Sequence, residues 1–174
     1  MNYAEIKYND IANGVGVRVS VFVSGCTHRC KNCFNEVAWD FNYGKPFDQP
    51  IQNEILNRCD EEHIAGISLL GGEPFEPENQ PELLKFLVKF KERFPQKNVW
   101  CYSGYTYEQL TGTVPSRARI DITDKMLELI DVLVDGKYVE ELYSIMLRFR
   151  GSSNQRLIDL NKTREQGSIV LWDD

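Results

Sequence analysis

Val17-Arg18-Val19-Ser20-Val21-Phe22-Val23-Ser24-Gly25-Cys26-Thr27-His28-Arg29-Cys30-Lys31-Asn32-Cys33-Phe34 carries two signals back to back. Valines at every second position give a period of two, which reads as a strand. Three of the chain's five cysteines then fall in C-x3-C-x2-C spacing directly after it. Thiols this close in sequence converge on one soft metal centre at little ordering cost, because the connecting loops are short. Three ligands leave a tetrahedral metal one position short, and the reading of the chain turns on what fills it.

Upstream, Asn13-Gly14-Val15-Gly16 is a turn signal, read as a hairpin turn into the strand. The alternative puts backbone near Gly14 and Gly16 beside a bound molecule. Downstream, apolar spacing predicts helices over 49–62, 81–94, 107–110 and 123–130, the last with Thr123 as N-cap, and a short helix over 140–147. Short apolar runs predict strands over 65–70, 98–102 and 131–134, with weaker ones over 157–160 and 168–172. Strands alternating with helices imply βα units and a mainly parallel sheet. A complete eightfold barrel takes about 250 residues, so this chain has room for an incomplete (β/α) barrel of about five or six units. Ligands in such sheets bind at the carboxyl ends of the strands, where the cysteine loop, Gly71-Gly72-Glu73-Pro74, Ser103 and Asp135–Lys137 collect.

With 174 residues, 42% apolar and 26% charged, the chain has the composition of one globular domain. A net charge of −6 argues against nucleic acid and anionic membrane as partners. No run reaches the roughly 18 apolar residues of a membrane span, and no signal-peptide core follows Met1, so a cytoplasmic location is expected. An odd number of cysteines in such a chain favours metal or redox chemistry over disulfides. Cys59, on the apolar stripe of its helix, and Cys101, within a strand, read as buried structural thiols. His63 falls at a helix end, where the dipole accounts for it. His28 and Arg29 read as facing solvent or a partner.

Three metal and redox readings compete. A structural zinc site needs a fourth ligand, and no second C-x2-C pair exists. Thiol–disulfide exchange by Cys30 and Cys33 leaves Cys26 unexplained. An iron–sulfur cluster suits the thiols, and with three cysteines it keeps one iron open for another ligand.

The triad with Phe34 after it, and Gly71-Gly72-Glu73-Pro74 38 positions beyond Cys33, resemble the signature of radical S-adenosylmethionine enzymes. Within that superfamily the chain is most similar to the activating proteins of anaerobic (class III) ribonucleoside-triphosphate reductases. The likeness runs through Tyr8-Asn9-Asp10, Asn13 to Arg18, Ser24 to Asn35, the glycine segment, and Phe149-Arg150-Gly151-Ser152-Ser153-Asn154-Gln155-Arg156. It implies one radical-SAM domain over 1–174, with an Fe–S loop at 25–35 and a family-specific segment at 148–174. It further implies one [4Fe-4S] cluster on Cys26, Cys30 and Cys33, with S-adenosylmethionine on the open iron. A 5′-deoxyadenosyl radical would then take hydrogen from a glycine of the reductase's large subunit. Cofactor contacts are expected from Asn32, Cys33, Phe34, Gly71, Gly72, Glu73, Ser103, Asp135 and Lys137, the last two resembling a D-x-K element near the methionine carboxylate. Two glycines would let main chain approach the ligand closely. Expected partners are the reductase, in a heterotetramer, and a one-electron donor such as flavodoxin. The alternatives are an activase of a formate-lyase type enzyme, a radical enzyme acting on a free heterocycle, and a non-catalytic zinc-binding module.

Overall fold

The computed structural model describes residues 1–173; Asp174, the end of the 148–174 segment, lies outside the described residues. The chain forms β1 (Asn2–Asp10), β2 (Val17–Val23), β3 (Lys45–Pro46), α1 (Gln49–Cys59), β4 (Ile64–Gly71), α2 (Gln80–Arg93) and β5 (Asn98–Ser103). It continues through α3 (Tyr107–Thr111), α4 (Thr123–Glu128), β6 (Val132–Asp135), β7 (Arg156–Asp159) and α5 (Leu160–Gln166). One mixed sheet takes the order β3-β1-β2-β4-β5-β6-β7.

The period-two stretch is the centre of this sheet. Val19, Val21 and Val23 are fully buried in the core that α1 and α2 cover, together with Ile55, Leu83, Phe86 and Phe90. The alternate residues Arg18 and Ser20 face the other way and are buried too, so both faces are covered. On that second face Trp100 meets Phe149 and Trp172 edge-on, at 5.2 and 5.3 Å between ring centres. Strands β2, β4, β5 and β6 are parallel, joined by helical crossovers. Their register pairs Val23 with Gly71 and Ser103 with Asp135, so the carboxyl ends finish level along one edge. β1, β3 and β7 pair antiparallel. Among the described residues the parallel crossovers therefore number three, fewer than the five or six units expected, because β1 and β3 on one side of the sheet and β7 on the other pair antiparallel.

Local chemistry sets several boundaries. Asp48 caps α1 by accepting from the Ile51 N–H, and Thr106 with Gln109 forms a capping box on α3. Thr123 does not cap α4, contrary to expectation. Its hydroxyl instead donates to the buried Gln80 amide oxygen at 2.7 Å, and Ile122 occupies the cap. The expected helix over 140–147 reduces to a single 3-10 turn at Glu140–Leu142, since Tyr143 turns extended to pair with Ser152. The expected strand over 168–172 makes only an Ile158–Leu171 bridge, with Trp172 held by its ring packing. His63 bonds Asn9 at 2.8 Å beyond the end of α1, rather than serving that helix's dipole alone. Cys59 and Cys101 are fully buried, as expected, and burial raises both thiols, Cys59 to about 12.

Arg18 is the costliest residue of the second face. Its guanidinium donates to Ser68 Oγ (2.8 Å) and to the Val15, Ile67 and Asn98 carbonyls (3.0, 2.6 and 3.3 Å), and stands 5.6 Å over the Trp100 ring. Burial lowers its pKa to about 10, still charged at neutral pH. Arg18→Ala leaves these acceptors unpaired and should cost about 3 kcal/mol. For a chain of this size that lowers Tm by roughly 6–12 °C in thermal circular dichroism; a loss under about 2 °C would show that the guanidinium holds nothing together.

Candidate functional site

The end of β4 turns directly under the cysteine loop. Gly72 N–H donates to the Val23 carbonyl (2.9 Å) and Glu73 N–H to the Gly25 carbonyl (2.8 Å), so the two strand ends are sewn together. A Cβ on Gly71 would stand 2.5 Å from Val23 N, and one on Gly72 2.6 Å from Gly25 O. The glycine pair is therefore required by main chain meeting main chain, a reason distinct from ligand approach.

Glu73 is fully buried. Its carboxylate accepts from His28 Nε2 (2.8 Å), Ser103 Oγ (2.9 and 3.1 Å), Gly104 N–H (2.7 Å) and Phe75 N–H (2.8 Å). His28, expected to face outward, instead turns in, packs on Tyr105 at 4.4 Å, and lies where a Cβ on Gly104 would be 2.5 Å from its Nε2. Its Nε2 is taken up by Glu73, and the ring is the loop's clasp. A second buried carboxylate, Glu76, takes both the backbone N–H and the hydroxyl of Thr27 at 2.7 Å and pairs with Arg117. Neither clasp was legible from sequence, although two acids three positions apart in Glu73-Pro74-Phe75-Glu76 were the available signal.

Held in this way, the loop brings Cys26, Cys30 and Cys33 to one wall of a cavity of about 520 Å³. Asn32, Phe34, Gly71, Gly72, Glu73 and Ser103 line the same cavity. Asn32 is in the left-handed region (φ 56°), and its amide donates to Glu140. Asp135 and Lys137 do not line it. Asp135 is buried beneath Arg156, whose Nε donates to it at 3.0 Å, and also accepts from the Tyr107 N–H at 2.7 Å. Lys137 is exposed, though its charge favours the Cys30 thiolate.

The donor set fits an iron–sulfur cluster. Burial pushes Cys26 up to about 11 and also raises Cys30, while the His28 and Arg29 backbone N–H groups favour the Cys26 thiolate. Among the described residues no three His, Cys, Asp or Glu side chains meet at the spacing of a single ion. Cysteines on separate irons of one cluster need no such convergence. Two buried polar atoms of the same cavity wall, Trp39 Nε1 and Tyr102 Oη, have no protein partner. Buried donors are normally satisfied, so these two are exceptions within residues that line the cavity.

Fold and site together define an iron–sulfur protein with its thiols on a loop at the carboxyl edge of a parallel sheet. Residues 12–158 match the family described as 4Fe-4S single cluster domain. The anaerobic ribonucleoside-triphosphate reductase-activating protein of Escherichia coli K12 is 40% identical over 89% of this chain and 96% of its own. Those of Pasteurella multocida and of bacteriophage T4 are 39% and 36% identical over similar spans. The chain belongs to the family of anaerobic ribonucleoside-triphosphate reductase-activating proteins.

Removing the Glu73 carboxylate tests the clamp. Glu73→Ala takes the acceptor from the His28 ring, the Ser103 hydroxyl and the Gly104 and Phe75 N–H groups, which should cost about 3–5 kcal/mol. Differential scanning calorimetry should show Tm lowered by at least about 6 °C, against a smaller loss in Ser103→Ala, which removes one of these donors and the acceptor of the Tyr105 N–H. Equal losses in the two variants would refute the clamp.

Proposed function

We propose that residues 1–174 form one radical-SAM domain that activates an anaerobic ribonucleoside-triphosphate reductase by placing a radical on a glycine of its large subunit. The observation that carries this reading is the meeting of Cys26, Cys30 and Cys33 with Gly71 and Gly72 around one cavity. When bound, a [4Fe-4S] cluster with S-adenosylmethionine supplies one-electron cleavage of the sulfonium and so a 5′-deoxyadenosyl radical for hydrogen abstraction.

The residues of the chain bind, orient and shield. Cys26, Cys30 and Cys33 hold the cluster and leave one iron for the methionine moiety. The Gly72 backbone would contact the methionine end, and Lys137, off the cavity wall, would add positive charge on the Cys30 side of the site. Asn32 and Phe34 flank the last thiol. Glu73 and Ser103, bonded to each other, act through position, and Asp135 does so through Arg156. No helix among the described residues is long and apolar enough to cross a membrane, and we place the protein in the cytoplasm. Strands β2, β4, β5 and β6 are read as the parallel part of an incomplete barrel whose open side admits the reductase's glycine loop. A flavodoxin-type electron donor and a heterotetrameric complex with the reductase complete the reading.

Anaerobic reconstitution with iron and sulfide, followed by reduction, should give 5′-deoxyadenosine from S-adenosylmethionine and a glycyl radical signal on the reductase by electron paramagnetic resonance. Cys30→Ala should abolish both. Zinc without iron and sulfide in the purified protein, or undiminished cleavage by Cys30→Ala, would refute the reading.

A further inference from the structure

The cavity rim carries apolar side chains that, Phe34 apart, none of these roles uses. Ser144–Leu147 is a tight turn, closed by the Leu147 N–H donating to the Ser144 carbonyl at 3.2 Å. Its two central residues are Ile145 and Met146, 83% and 86% exposed. Such positions normally hold Pro, Asp, Asn, Ser or Gly, whose backbone preferences or side-chain bonds make the turn. An Ile–Met pair there gains nothing from folding, because neither side chain is buried. The same segment brings Tyr143 and Leu147 to the cavity wall, while Phe34, next to Cys33, also lines the cavity and is 84% exposed.

The rim is fixed in place. Ser153 N–H donates to the Leu142 carbonyl at 2.9 Å, and Glu140 bonds Asn32 and stands 3.6 Å from Lys31 Nζ in the cysteine loop. An apolar centre edged by Lys31, Glu140 and Glu141 has the core-and-rim anatomy of a protein interface, and methionine adapts its shape to a partner.

We propose that Phe34, Tyr143, Ile145 and Met146 form the docking surface for the reductase, receiving an apolar patch beside its glycine-bearing loop. The inference rests on the activase reading, which requires a backbone glycine of that protein to reach this cavity. Continuity of the rim with the cavity wall lets one binding event bury the patch and deliver the loop. A second copy of this chain seated there would cover the mouth that the loop must enter.

The test is the double variant Ile145→Glu/Met146→Glu, whose exposed positions should leave Tm unchanged. Reconstituted and reduced without reductase, it should form 5′-deoxyadenosine at the wild-type rate. With the reductase at limiting concentration, glycyl radical yield should fall about tenfold or more and recover as reductase is raised. Val88→Glu, the same change on the outer face of α2, should give the wild-type yield. Undiminished radical formation by the double variant, even where that variant dissociates a dimer the wild type forms, or an equal loss in Val88→Glu would each overturn the surface. A wild-type protein that cleaves S-adenosylmethionine yet leaves no radical on the reductase would instead remove the activase reading, and the surface with it.

Discussion

A single buried carboxylate governs this site. An ionised group taken out of water is tolerated only where donors replace its hydration, and Glu73 accepts from His28, Ser103, Gly104 and Phe75. Each donor belongs to a segment that must meet at the cavity. His28 comes from the cysteine loop, Ser103 and Gly104 from the end of β5, and Phe75 from the turn that Glu73 itself occupies. The electrostatic need of one side chain therefore fixes the spacing between loop and sheet edge. Neutral contacts would hold the same segments less firmly, since hydrogen bonds to an ionised acceptor are roughly twice as strong.

The glycines around this carboxylate have a double use. A ligand-based reading explains Gly71 and Gly72 by close approach of a bound molecule, and both do line the cavity. Their missing Cβ atoms are nevertheless demanded first by β2 and the start of the cysteine loop. Gly104 is demanded by the His28 ring in the same way. Glycine at these positions makes the clamp possible, and the clamp makes the cavity.

Elements with strong periodicity were legible in the sequence. Val17–Val23, the helix that became Gln80–Arg93 and the apolar run Ile64–Gly71 stand where their patterns put them. So does the cavity-edge convergence of the three cysteines with Gly71, Gly72 and Ser103. The antiparallel strand β1 was not legible as a strand, because its residues are only half-buried and carry mixed polarity. Helix α5 is a seven-residue polar stretch whose start depends on Asp159 accepting from the Lys162 N–H. The inward turn of His28 was hidden for a different reason. A lone histidine in a loop is ordinarily solvated, and its partner lies 45 positions away in sequence. Asp135 misled in the opposite direction, since Arg156 and the first turn of α3 consume the carboxylate that the D-x-K likeness aims at the cofactor.

The clasps that place the loop use no cysteine: Thr27 reaches Glu76, and His28 reaches Glu73. Three thiolates crowded at one cavity wall would repel one another, and burial already raises Cys26 and Cys30 toward the neutral form. The Glu73 charge pushes Cys26 in the same direction. The loop takes its position from these carboxylate clasps together with main-chain bonds from Gly25 to Ala38, from Cys26 to Trp39 and from Glu73 to Gly25, and none of them draws on a thiol.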